Sequence, residues 1–383
     1  ISNRVGNMLR GMGVGKGDPI LVLLQNVPEW FFTVVAGNQI WAPVLPCSDQ
    51  LRPKDLVYRA LHSGARTIVS WDAKAPEVDE IRRDCPDLVN FICIGEKREG
   101  WISFEEEVAK ASPRLEIADN KSSDPALVYY TSGTTGPPKG AMLTQRNLTW
   151  MGRAITRDNP MVDSDEVMSF LPLCHVYERM VNYHFQYKGM SIYYLENMGT
   201  ISEAIKEVKP HIFNTVPRLL EKIYDNIIAK GQNLPWLKRQ IFFWAVNLGL
   251  HYDLHGKSWF YKQQLALANK LVFSKWRQAL GGNVKIAGCG GASLPPRLER
   301  IFWAAGIKII NMYGLTETSP IITINGTEKG KVKLGSVGTT IEGVEVKIDA
   351  DGEILCKGPN VTPGYYKDPE LTKAAFTADG WFC

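Results

Sequence analysis

Apolar positions along the chain alternate between two periods. Short runs such as Pro19–Asn26 (PILVLLQN), Ala42–Cys47, Ala65–Trp71, Val167–Leu173, Ser191–Glu196, His211–Val216, Lys285–Gly291 and Lys308–Gly314 are compact, rich in branched and aromatic residues, and read as strands. Between them lie longer segments whose apolar residues recur three and four apart: Val27–Trp41, Arg52–Gly64, Val176–Gly189, Pro217–Gly231 and Pro295–Gly306. The opening segment ISNRVGNMLRGMGV has the same helical period. Pro217 stands in a first helical turn, where its missing N–H costs nothing. Strand and helix in alternation predict an α/β fold with parallel sheets flanked by helices. After about residue 330 the pattern turns to short strands and turn residues, and Asp349–Gly352 (DADG) signals a hairpin. The expected organisation is therefore an α/β core over 1–330 and a small β subdomain over 331–383.

Residues 231–280 break the alternation. They are helical, aromatic-rich and basic, with Trp236, Phe242, Phe243, Trp244, Trp259 and Phe260 among Lys238, Arg239, Lys257, Lys262 and Lys270. Two readings stay open: a helical insertion whose aromatics pack on the core, or a surface suited to a lipid headgroup layer. His251 and His255 stand four apart, as two ligands on one helix face would, without a third ligand nearby.

With 383 residues, 45% hydrophobic and 22% charged, the chain has the composition of a globular protein large enough for more than one domain. A net charge of +4 without a clustered basic motif argues against nucleic acid as a partner. Seven dispersed cysteines without a C-x-x-C pair suit reduced thiols and a cytoplasmic location. No apolar run reaches the length of a membrane span.

The most chemically pointed stretch is YYTSGTTGPPKG, Tyr129–Gly140. Thr131, Ser132, Thr134 and Thr135 supply hydroxyls, Gly133, Gly136 and Gly140 let the backbone approach a ligand, and Lys139 adds a charge. Together they make a receptor for a polyphosphate. It is not the P-loop pattern, because Pro138 precedes the lysine and Gly140 follows it. The helix signal comes only after Thr144, a candidate N-cap, so the loop is expected to join two strands.

Four further stretches follow in order: LPLCHVYER (Leu171–Arg179), GCGGASLPP (Gly288–Pro296), NMYGLTETSP (Asn311–Pro320) and GEILCKGPNVTPGYYKDPELTKAAF (Gly352–Phe376), with DGWF at Asp379–Phe382. With the glycine-bent loop they resemble the adenylate-forming acyl-CoA synthetase and luciferase superfamily. LPLCHVYER and the helical insertion look most like the long-chain fatty acid CoA ligases. The resemblance implies the large N-terminal domain of such an enzyme, ending before the hinge and the small C-terminal domain, which are absent from this sequence. It implies ATP-dependent activation of a fatty acid to an acyl-adenylate, then a thioester with CoA, releasing AMP and pyrophosphate.

It also implies roles. Thr131, Ser132, Gly133, Thr134, Thr135, Gly136 and Lys139 would hold the leaving phosphates, and Glu317, with Thr131, a Mg²⁺ ion. Thr316 would bond the α-phosphate. Gly290, Gly291, Ala292, Asn311, Met312, Tyr313, Gly314 and Thr316 would bind ATP, with Gly290, Gly291 and Ala292 against the adenine, Tyr313 stacking on it and Asn311 offering its amide. His175 would orient the acid, and Val176, Gly290, Gly314 and Leu315 would border the acyl chain. Lys139, His175, Thr316 and Glu317 are the expected catalytic set. Medium-chain, aryl or bile-acid ligases stay open, as do a non-catalytic nucleotide- or acyl-binding short form and a carrier-loading adenylation domain. Peripheral membrane contact and a homodimer also stay open.

Overall fold

The short apolar runs become the centres of two sheets because strands covered on both faces need side chains that are apolar throughout. The computed structural model describes residues 1–131, 136–157, 161–327 and 332–383. In chain order the strands are β1 (Ile20–Leu23), β2 (Val44–Pro46), β3 (Thr67–Trp71), β4 (Asn90–Ile94), β5 (Ile102–Ser103), β6 (Pro125–Thr131), β7 (Lys139–Thr144), β8 (Glu166–Ser169), β9 (Ser191–Tyr194), β10 (Ile212–Thr215), β11 (Ile286–Cys289), β12 (Lys308–Tyr313), β13 (Thr323–Ile324), β14 (Thr339–Thr340), β15 (Glu345–Ile348) and β16 (Ile354–Lys357).

The first sheet has the order β5-β4-β3-β1-β2-β6-β7 and the second β14-β13-β12-β11-β10-β8-β9; β15 and β16 form a separate pair. The sheet interiors are parallel, as the alternation predicts. One edge of each sheet is antiparallel: β7 runs against β6, β13 runs against β12, and β14 runs against β13. β14 thus ties residues beyond 331 to the second sheet. The DADG turn does close a hairpin, with Ile348 opposite Ile354.

Most predicted helices form close to their predicted limits, including Ser2–Gly11, Pro28–Ile40, Val176–Lys188 and Pro217–Gln232. Thr144 caps the helix Gln145–Arg157: its hydroxyl accepts from the Asn147 N–H at 3.2 Å, and the Asn147 carboxamide accepts from the Thr144 N–H at 2.9 Å. Two expectations need correction. The run Val167–Leu173 is strand only to Ser169, after which Pro172 prevents further pairing. His251 and His255 do not share a helix face, because the helix Trp236–Leu250 ends before them.

Phe242, Phe273 and Trp276 are buried in the core beside the second sheet, whereas Trp236, Trp259 and Phe260 are 68%, 73% and 64% exposed. Among the described residues no helix is long and apolar enough to cross a membrane.

Candidate active site

Parallel strands that point the same way deliver their carboxyl ends to one place, and side chains that follow those ends can meet there. β2, β6, β10, β11 and β12 all end beside a cavity of ≈ 540 Å³. Its wall takes Ser48 and Arg59 from the first sheet's side, and Val216, Gly290 and Tyr313 from the second. The cavity therefore lies between the two sheets. Of the residues singled out from sequence, Thr131, His175, Val176, Gly290, Gly291, Met312, Tyr313, Gly314, Leu315 and Thr316 line it.

Gly314 shows why the turn after β12 needs a residue without a side chain. A Cβ there would lie 1.7 Å from the Pro320 carbonyl oxygen, a backbone atom that cannot move aside. The backbone therefore folds tightly onto itself and leads into the short turn Thr316–Thr318.

That turn presents Glu317 to the end of β6. The Thr131 hydroxyl donates to Glu317 Oε1 at 3.4 Å, across 186 residues of sequence. Lys139, directly opposite Thr131 in the β6–β7 pair, holds its ammonium 5.6 Å from the centre of the Tyr365 ring. The Tyr365 hydroxyl in turn donates to Glu317 Oε1 at 3.1 Å. Burial, and after it the Glu317 charge, pushes the Tyr365 phenol pKa up, so it stays protonated and remains a donor. Lys139 and Glu317 stand at the cavity's edge rather than in its wall. Ser132, Gly133, Thr134 and Thr135 lie outside the described residues.

The opposite wall comes from LPLCHVYER. His175 is the N-cap residue of the helix Val176–Lys188 and faces the cavity. Desolvation by the surrounding wall lowers its pKa, with Asp49 acting the other way, so the imidazole is neutral at pH 7. Glu178, one turn on, is 1% exposed. It accepts from the Ser169 hydroxyl at 2.5 Å and from the Asn182 amide at 3.3 Å, and burial raises its pKa to about 7. Arg179 is also buried and has no ion pair among the described residues. Its guanidinium lies 3.9 Å from the Tyr183 ring centre and 4.4 Å from that of Trp30, a cation–π arrangement that locks this helix to the first sheet's layer.

Asn311 and Ala292 do not reach the wall. The Asn311 amide donates to the Ser336 carbonyl at 3.3 Å, and Ala292 is exposed just beyond it. Sequence reasoning passed over Tyr365, Arg59, Tyr129 and Tyr177. Tyr365 carried a signal, since it lies in the GPNVTPGYYKDPE stretch; Arg59 sits on an ordinary amphipathic helix, Pro53–Ser63, and carried none.

A cavity at the carboxyl ends of parallel strands, rimmed by a hydroxyl, a lysine and a carboxylate, defines an α/β protein of the nucleotide-binding class. The chain belongs to the AMP-binding enzyme family, whose profile matches residues 1–366. It is 31% identical to the long-chain-fatty-acid–CoA ligase FadD15 of Mycobacterium bovis over 98% of this chain and 63% of that protein. It is 27% identical to long chain acyl-CoA synthetase 3 of Arabidopsis thaliana, over 99% of this chain and 61% of that one. The chain thus spans somewhat less than two thirds of the curated relatives it matches. The fold is that of the crystallised N-terminal domain of FACL13 from Mycobacterium tuberculosis, with a TM-score of 0.77 at 21% identity, covering 100% of this chain and 85% of that domain.

Proposed function

We propose that this chain is the nucleotide- and acid-binding part of an AMP-forming acid–thiol ligase whose acid is a long-chain fatty acid. The observation that carries this reading is the contact of Thr131 with Glu317 at the mouth of a cavity that also holds His175, Tyr313 and Thr316. The names of the relatives support the substrate class. The division into a core over 1–330, with 231–280 inserted, and a β unit over 331–383 belongs to the same reading.

The chemistry assigned to the site is in-line displacement. A carboxylate oxygen of the acid attacks the α-phosphorus of ATP, and the bond to the bridging oxygen breaks with pyrophosphate leaving. The thiolate of CoA then attacks the acyl carbon, and AMP departs with the bonding pair. Catalysis of the first step is positioning and charge neutralisation. Lys139 faces the charge that grows on the leaving phosphates. Thr316 hydrogen-bonds the α-phosphate, and Tyr313 offers its ring to the adenine. Neutral His175 orients the acid at the cavity wall. The donor set at Glu317 and Thr131, one carboxylate oxygen and one hydroxyl, fits a hard cation such as Mg²⁺, which these two residues would hold. The ion would neutralise phosphate charge. Tyr365 holds the Glu317 carboxylate in place.

A cytoplasmic protein touching membranes through Trp236, Trp259 and Phe260 accords with this substrate, whose chain partitions into bilayers. The test is ATP–pyrophosphate exchange by the intact protein with acids from acetate to palmitate. Exchange should rise toward long chains, and Lys139→Ala or Glu317→Gln should each reduce it about a hundredfold. Equal exchange at every chain length, or wild-type exchange in both variants, would remove the reading.

A further inference from the structure

A second concavity lies apart from the catalytic one. The helices Pro217–Gln232, Trp236–Leu250 and Ser274–Ala279, with the wide helical turn Asn269–Phe273, enclose a groove of ≈ 440 Å³. It shares no lining residue with the catalytic cavity. Its size is that of pockets that enclose most of a small ligand, about 300–1,000 Å³.

Its composition is unusual. The wall consists of apolar side chains, one glycine and three lysines: Lys230, Lys238 and Lys275, one from each helix. It includes no acidic side chain, and none of the three lysines has an ion-pair partner among the described residues. The floor is set by Phe242 and Trp276, both buried, with ring centres 6.5 Å apart. Phe242 lies flush against Gly231, where a Cβ would come within 2.1 Å of the ring, so backbone and ring fix the floor's shape together.

A single lysine can lay its stem across apolar surface and keep its charge in water. Three like charges around one apolar trough repel one another and leave an uncompensated positive field, which favours an anion whose remainder is apolar. We propose that this groove binds a single-chain anionic amphiphile, a free long-chain carboxylate, with its chain on the Phe242–Trp276 floor and its head among the three lysines. A trough enclosed on several sides suits one chain. The exposed Trp236, Trp259 and Phe260, which do not line it, are the side chains available to a bilayer. The proposal does not rest on the catalytic reading.

The test is photolabelling of the intact protein with a diazirine-bearing palmitate, with labelled peptides mapped by mass spectrometry. Saturable labelling is expected in peptides covering 227–242 and 271–279. Palmitate should compete with it, while hexadecanol and hexadecyltrimethylammonium should not. The triple variant Lys230→Glu, Lys238→Glu, Lys275→Glu changes exposed positions and should fold. It should raise the half-saturating concentration at these peptides about tenfold. Labelling around 171–178, the catalytic wall, should be unchanged, and the corresponding triple arginine variant should label as wild type. Labelling at the groove without any at 171–178 would sink the fatty-acid reading of the catalytic cavity and leave this one standing. Three results would overturn the proposal: no labelling at the groove, undiminished labelling in the triple glutamate variant, or labelling only when phosphatidylglycerol vesicles are present, which would assign the lysines to a bilayer.

Discussion

Glu178 is a carboxyl group held where water cannot solvate its charge. Its folded-state pKa of about 7 lies above the unfolded value of 4.5, so the native state retains a proton that the unfolded state gives up. The contribution is full below pH 4.5 and is lost as pH rises through about 7, on the order of 3 kcal/mol. Glu178→Gln removes that titration. In urea unfolding, the stability of the variant relative to wild type should therefore climb by about that amount between pH 4.5 and 7; a difference that stays constant with pH would show that Glu178 is not the titrating group. Gly314 makes a steric case. Gly314→Ala drives a methyl into a backbone carbonyl, and should cost about 3 kcal/mol or more. A melting temperature within a degree of wild type would mean that the turn relaxes freely.

The same residues show what could be read early. Thr131 stood out through the hydroxyl and glycine spacing of its loop and Glu317 only through the family resemblance of its stretch; the structure brings the two within 3.4 Å of each other. Tyr365 and Arg59 act through the neighbours the fold gives them, Glu317 in one case and the cavity wall in the other, and a one-dimensional pattern does not encode those neighbours.

Among elements, the helix Gln145–Arg157 illustrates how a local signal fixes a boundary. Thr144 and Asn147 exchange bonds across its first turn, so Thr144→Ala should lower stability by about 1 kcal/mol, read as a fall in unfolding midpoint with an unchanged slope. No change in midpoint would mean the cap is redundant. Parallel strands were legible for the same local reason, as bounded apolar runs. Antiparallel β13 and β14 were not, since each is two residues long and is defined by its pairing partner rather than by its own composition. Leu171 and Leu173 misled in the opposite sense: they are buried, yet through irregular backbone rather than a strand.

Over the whole molecule, the cavity belongs to neither sheet alone. Arg59 and Thr131 arrive with the first sheet and Gly290 and Tyr313 with the second, so a lesion in either layer should affect the site. The outer surface divides differently. Replacing Trp236, Trp259 and Phe260 together by serine should reduce co-sedimentation with anionic vesicles severalfold while leaving the unfolding midpoint close to wild type, because all three are exposed. Unchanged co-sedimentation would remove the membrane role.

β7 has a history as well as a place. Its free margin is closed by a segment made much later: the Met142 N–H donates to the Gly364 carbonyl, the Tyr366 N–H to that of Gly140, and the Thr362 hydroxyl to that of Met142, across 220 residues. On the ribosome, that strand must wait with its amides bare while most of the polypeptide is still being translated. A nascent chain halted before Gly364 therefore offers a chaperone, or another nascent chain, an adhesive seam that the finished protein conceals.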